Sequence, residues 1–267
     1  SALLMYAHVL NEFKNTPKML EVLHSAVLLD EKCLNCWKEL IAAVVYTDED
    51  DILKTKELVA QALQHFPEDA YLLFVEGSIL LIEENELGAF ESYKKAAENA
   101  PAQSKLSEQI YMALSGMHIP EAMMFTREGI HLYPQNLMLL NNYAYNVAVY
   151  WAMNKEYMSA EKLSEFKGIL DEAEKISEST VKADAINPYY LDTYAYILFL
   201  QGKYTLARFY IEQALNYDKE GNSEVLEHYG DILIALGEKQ TAVKYYEAAY
   251  LINPTQELSN KIKQYEK

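Results

Sequence analysis

Two cysteines, Cys33 and Cys36, separated by two residues, have the strongest claim to chemistry in this chain. A thiol at the amino end of a helix has a lowered pKa, because the unpaired amide groups there favour the thiolate. The pair is therefore a candidate redox dithiol or, in an exported protein, a local disulfide. Redox motifs of this spacing normally follow a strand in a sheet-containing fold, and one pair supplies only half of a zinc site. The six histidines, His8, His24, His65, His118, His131 and His228, stand singly, with no two at ligand spacing on one helix. The run Asp48-Glu49-Asp50-Asp51 lacks the alternating ligands, turn glycine and distal glutamate of a calcium loop. It is read as the start of a helix, where acidic groups complement the dipole. Carboxylate pairs recur throughout a chain with 40 Asp and Glu, so proximity nominates no general acid and base. There is no phosphate-cradling glycine loop and no nucleophile elbow. No catalytic residue, cofactor or metal is assigned, and a non-enzymatic role is expected.

Charge and composition narrow the partners. Against those 40 acidic groups stand 23 Lys and Arg, a formal charge of −17, which repels phosphate backbones and anionic lipid surfaces. Nucleic acid is not expected as a partner. Hydrophobic residues make up 51% of the chain, yet no uncharged apolar run approaches the roughly 18 residues of a membrane span. The opening SALLMYAHVL has neither the basic start nor the cleavage site of a signal peptide and reads as an amphipathic helix beginning in mid-repeat. A piece of a longer protein, with its targeting segment removed, is the expectation, and compartment and oligomeric state stay open.

The elements that position these residues are helices. Glycine and proline are sparse, at 9 and 7, and Pro67, Pro101 and Pro134 fall 34 and 33 residues apart after apolar helical stretches. Alignment on the prolines, with Pro254 closing a later unit, puts small residues into three columns: Gly77, Ala89, Ala96; Ala144, Ala173, Thr180; Ala195, Ala207, Ala214; Gly230, Ala242, Ala249. Two helices that cross closely leave no room for a large side chain at the contact, so each unit is a helical hairpin. Apolar residues around the columns keep helical spacing, as in Leu226, Tyr229, Leu233 and Leu236. Gly202-Lys203 and Gly237-Glu238 mark turns where glycine takes the left-handed conformation that ends a helix.

This pattern resembles the tetratricopeptide repeat over nearly the whole chain. The resemblance implies an all-α, right-handed superhelical solenoid in a single array of about seven hairpins. Their expected bounds are about 1–33, 34–69, 70–103, 104–136, 137–187, 188–222 and 223–256, with a capping helix at 257–267. The first, second and fourth are degenerate, with Met19, Ile41, Thr55 and Tyr111 where small residues are usual. In the fifth, Ala144 and Ala173 are 29 apart where a standard unit has 12, so 17 residues near 151–167 are inserted. These residues either lengthen the hairpin arms or add a short helix, with Gly168 favouring an added element, and Tyr157, Leu163 and Phe166 either pack on their own hairpin or form a docking knob. The segments LNNYAY, YLDTYAY and LEHYGD are similar to bacterial repeat proteins that are often exported lipoproteins, which implies an exported or periplasmic location with the cytoplasm as the alternative.

In that family the first helices line a concave groove. The matching positions are Asn141, Asn142 and Tyr145, then Tyr189, Asp192, Thr193, Tyr196 and Phe199, then Glu227, His228 and Asp231. The resemblance thus implies a scaffold that binds a peptide or protein, and the acidic, tyrosine-rich strip suits one bearing Lys or Arg. The lysine and arginine clamp by which some members hold a chaperone's terminal carboxylate is missing, since Asn141, Asp192 and Glu227 stand where lysine is required. Capture of a glycan by an outer-membrane uptake system is the alternative; such relatives carry large insertions, and only 17 residues are inserted here.

Overall fold

The computed structural model describes residues 2–47, 52–219 and 221–265. Among them every regular element is helical, with no strand. The acidic run at 48–51, read as a helix start, lies outside the described residues. The chain divides into two compact units, Ser1–Met117 and His118–Lys267.

The first unit holds α1 (Ala2–Glu12), α2 (Thr16–Leu29), α3 (Leu34–Thr47), α4 (Ile52–His65), α5 (Ala70–Ile82), α6 (Glu86–Asn99) and α7 (Lys105–Ser115). Its core is built on Leu23, Trp37, Leu40, Ile41, Val59 and Leu72. Cys33 and Cys36 are joined in a disulfide at the start of α3. Beside it the Trp37 indole N–H donates to the Glu31 carbonyl at 2.9 Å. The second unit holds α8 (Pro120–Leu132), α9 (Leu137–Asn154), α10 (Ala160–Ala183), α11 (Pro188–Leu200), α12 (Tyr204–Tyr217), α13 (Ser223–Ala235), α14 (Lys239–Ile252) and α15 (Gln256–Tyr265).

Short polar side chains start many of these helices. Asp69, Asn85, Ser104, Asn136, Ser159, Asn187 and Asn222 each accept a hydrogen bond from an amide of the first turn, which satisfies one of the donors a helix leaves unpaired. Gly202 and Gly237, with φ of +78° and +84°, end α11 and α13. The Lys203 amide bonds the Leu198 carbonyl and the Glu238 amide bonds the Leu233 carbonyl, each at 2.9 Å, so the chain reverses in a Schellman turn. Lys14 and Glu84 hold the equivalent left-handed turns of the first unit without glycine, at φ of 55° and 59°.

The small residues sit where helices touch. Ala89, Ala96, Ala144, Ala173, Thr180, Ala195, Ala207, Ala214, Ala242 and Ala249 are all wholly enclosed. A methyl group on Gly77 would lie 2.6 Å from the Tyr93 ring, and one on Gly230 would lie 2.3 Å from that of Tyr246. A tyrosine of the second helix therefore lies flat against the first, and glycine is the residue that admits it. The larger residues of the degenerate columns, Met19, Ile41, Thr55 and Tyr111, are buried as well, so those contacts are filled by bulk.

The extra residues between Ala144 and Ala173 lengthen the two arms of the α9–α10 hairpin. α9 runs for 18 residues and α10 for 24, joined through a single 3-10 turn at Lys155–Tyr157. Gly168 lies inside α10 and starts no separate element, because the arm continues unbroken as one helix from the Ser159 cap. Phe166 packs on Tyr150 and Trp151, with ring centroids 4.9 and 6.2 Å away, which ties the inserted arm to its own hairpin. Tyr157 stays exposed.

Candidate functional site

The strip expected from the sequence belongs entirely to the second unit, on α9, α11 and α13. These three helices bring a core of the expected residues together. The His228 imidazole Nδ1 is 2.9 Å from Asp192 Oδ1, both side chains nearly closed off from solvent. Tyr196 stacks on His228 with centroids 4.0 Å apart and planes 12° from parallel. The Tyr145 hydroxyl donates to Glu224, so α9 and α13 are joined directly across one face of α11. Phe199 continues the aromatic row from Tyr196 at 6.3 Å.

Charge and burial shape this cluster. Burial lowers the affinity of His228 for a proton. The Asp192 carboxylate and its hydrogen bond, with Glu224 and Asp231 farther off, outweigh that effect and hold the pKa above the ordinary histidine value. Burial, then the charge of Glu224, raises the Tyr145 phenol far beyond its usual range, and burial with Asp231 and Glu224 does the same for Tyr196. Both phenols are consequently neutral hydrogen-bonding groups at any physiological pH. Neither presents a nucleophile or a base.

The remaining expected residues are placed differently from one another. Asn141 and Thr193 are buried, at 7% and 2% exposure, and the Asn141 Oδ1 has no hydrogen-bond partner. Asn142 is half-buried, and Tyr189 is exposed, its backbone N–H capped by Asn187 at 3.1 Å. Glu227 and Asp231 are taken up by Lys261 of α15, whose Nζ lies 2.7 Å from Glu227 Oε1 and 2.9 Å from both Asp231 oxygens. Three participants were not singled out from the sequence: Glu224, Lys261 and Tyr246, whose hydroxyl donates to Asp231 at 2.7 Å. Gly230 was the available clue to Tyr246, since a glycine in the first helix implies a large ring opposite. Nothing local points to Lys261, which reaches the strip from 30 residues beyond Asp231.

No helix among the described residues is long and apolar enough to cross a membrane. No cluster of metal-ligating side chains is present among them. The first unit carries a separate apolar cleft of about 670 Å³ between α3, α4 and α5, lined by Val45, Tyr46, Ile52, Tyr71, Phe74 and Ile82 among others.

Residues 223–256, the α13–α14 hairpin, match the tetratricopeptide repeat. No curated protein sequence matches the chain. In fold it is similar to a tetratricopeptide repeat protein from Parabacteroides merdae, at 14% identity and a TM-score of 0.55 over 100% of this chain and 98% of that one. PilW, a type IV pilus biogenesis factor, is similar at 17% identity and a TM-score of 0.60, over 88% of this chain and 98% of its own. Human IFIT1, solved as a dimer with m7Gppp-AAAA, is similar at 13% identity and a TM-score of 0.58, over 94% of this chain and 58% of that protein. At such identities the likeness speaks to the fold alone. The α13–α14 hairpin is thus a tetratricopeptide repeat, and the chain as a whole has the all-helical fold of tetratricopeptide repeat proteins.

Proposed function

We propose that the chain is a non-catalytic interaction module that holds a peptide segment of a partner protein along the α9–α11–α13 strip. The observation that carries this reading is the direct linkage of three successive first helices by Tyr145, Glu224, Tyr196, Asp192 and His228. A continuous face with aromatic area and polar groups at intervals suits an extended backbone. Among the described residues, the carboxylates of Asp192, Glu224, Glu227, Asp231 and Glu257 share the Lys261 ammonium and the His228 imidazole, and the excess of negative charge favours Lys and Arg on the partner. The phenols, held protonated, act by contact and hydrogen bonding.

The test is affinity capture with the full-length protein, followed by mapping of the captured partner to a binding peptide. Titration of that peptide against Asn142→Ala, Tyr189→Ala and Tyr196→Ala should show at least a tenfold weakening for Tyr196→Ala, and a steep loss of affinity with salt. Affinity unchanged in all three variants removes the strip as the binding surface. A partner that is a glycan, bound in a Tyr196-dependent way, replaces the peptide reading.

A further inference from the structure

The carboxylates at the far end of the strip are already held by a cation of the same chain. Lys261 Nζ touches Glu227 at 2.7 Å and both oxygens of Asp231 at 2.9 Å, and Glu257 stands 3.8 Å away. The same ammonium lies over the Tyr246 ring, 5.6 Å from its centroid, and Tyr246 in turn bonds Asp231. Carboxylates on two sides and an aromatic face on a third make the kind of enclosure that holds a lysine or arginine of a bound peptide. The Lys261, Glu227 and Asp231 side chains are only about a fifth exposed, so this contact differs from the solvent-exposed ion pairs elsewhere, such as Lys182 with Glu178.

We propose that α15 is a displaceable strap: Lys261 occupies the place on Glu227, Asp231 and Tyr246 that a basic side chain of the partner takes, and partner binding lifts α15 from α13 and α14. The inference rests on the peptide-binding reading of the strip and adds how access to it is controlled.

Two further features support a strap over a fixed cap. α15 buries less than its neighbours: Leu258 is its one fully buried residue among those described, with Ile262 and Tyr265 half-buried against the core, whereas α12 buries three and α14 four. The strap is continuous with the strip as well. Glu257 of α15 is among the charges, after Asp231, Glu224 and Asp192, that raise the Tyr196 phenol.

The probe is acetylated tetralysine amide, with acetylated tetra-norleucine amide as the uncharged control. Lys261→Met empties the enclosure while keeping an apolar stem, and Leu258→Ala loosens the strap without changing any charge. Tetralysine should bind both variants at least tenfold tighter than the unaltered chain, and adding Glu227→Gln with Asp231→Asn should abolish the gain. Saturating tetralysine should also speed amide hydrogen exchange in residues 257–265 of the unaltered chain. Equal affinity for the unaltered chain and both variants overturns the strap, as does α15 exchange that is unmoved at saturation, or no measurable binding to Lys261→Met. Failure of the strip itself shows elsewhere, as partner binding indifferent to Tyr196→Ala, so the two failures are told apart.

Discussion

Gly230 and Tyr246 are in close contact between α13 and α14. Alanine is favoured over glycine in a helix by about 1 kcal/mol, yet the added methyl would sit 2.3 Å from the Tyr246 ring. The ring cannot yield without giving up its hydroxyl bond to Asp231. Gly230→Ala should therefore destabilise, since overpacking costs about 1–3 kcal/mol and exceeds the helix gain; a urea titration of the variant measures it, and an unchanged midpoint would contradict this packing. His228 gives a second prediction. Its folded pKa lies above the ordinary 6.5, so the Asp192 contact stabilises fully below that value and is lost as pH rises through the raised one. Resistance to urea should fall from mildly acid to mildly alkaline pH, and His228→Gln should flatten the profile. At this scale the small contact residues were legible in the sequence because size and spacing are local. The Asp192–His228 and Lys261–Asp231 contacts were not, because a helical wheel tells which face a side chain is on without telling what faces it across the neighbouring hairpin.

Among the elements, the turns differ most between the units. Lys14 and Glu84 adopt left-handed backbone that costs an L-residue about 1–2 kcal/mol, where Gly202 and Gly237 adopt it freely. Glu84→Gly keeps the Asn85 amide bond to the Leu80 carbonyl, at 2.8 Å, and removes that strain. After the larger unfolded-state entropy of glycine is set against it, a gain of about 0.5–1 kcal/mol is expected. Chemical denaturation with the Ala variant as control checks it, since alanine at the same φ should bring no gain. The turn glycines could be read from sequence because glycine is their signature. The turns at Lys14 and Glu84 carry no such mark, being held by the helices they connect. The inserted arm was visible as a count of residues, but whether it formed a new element or longer helices depended on contacts such as Phe166 with Tyr150, which spacing does not contain.

For the whole molecule these differences gather on one side. The described non-glycine residues with positive φ, Lys14, Glu84 and Gln103, all belong to the first unit, and the described glycines with positive φ all belong to the second. The bulky replacements Met19, Ile41, Thr55 and Tyr111 are in the first unit too. In repeat arrays stability is close to a sum over units and their nearest neighbours, so such local costs are not averaged away. Residues 2–117 should open at lower denaturant than residues 118–265, giving faster amide exchange in α1–α6 than in α9–α14; equal protection would show that the bulkier contacts are as good as the small ones.

The chain also carries its own means of watching this happen. It has two tryptophans, Trp37 in the first unit and Trp151 in the second. The indole N–H of Trp37 is bonded to a carbonyl, whereas that of Trp151 is buried without a partner and beside Phe166. Emission from the two should differ in colour, and Trp37→Phe and Trp151→Phe each leave a single lamp, one per half, by which the melting of either can be followed alone.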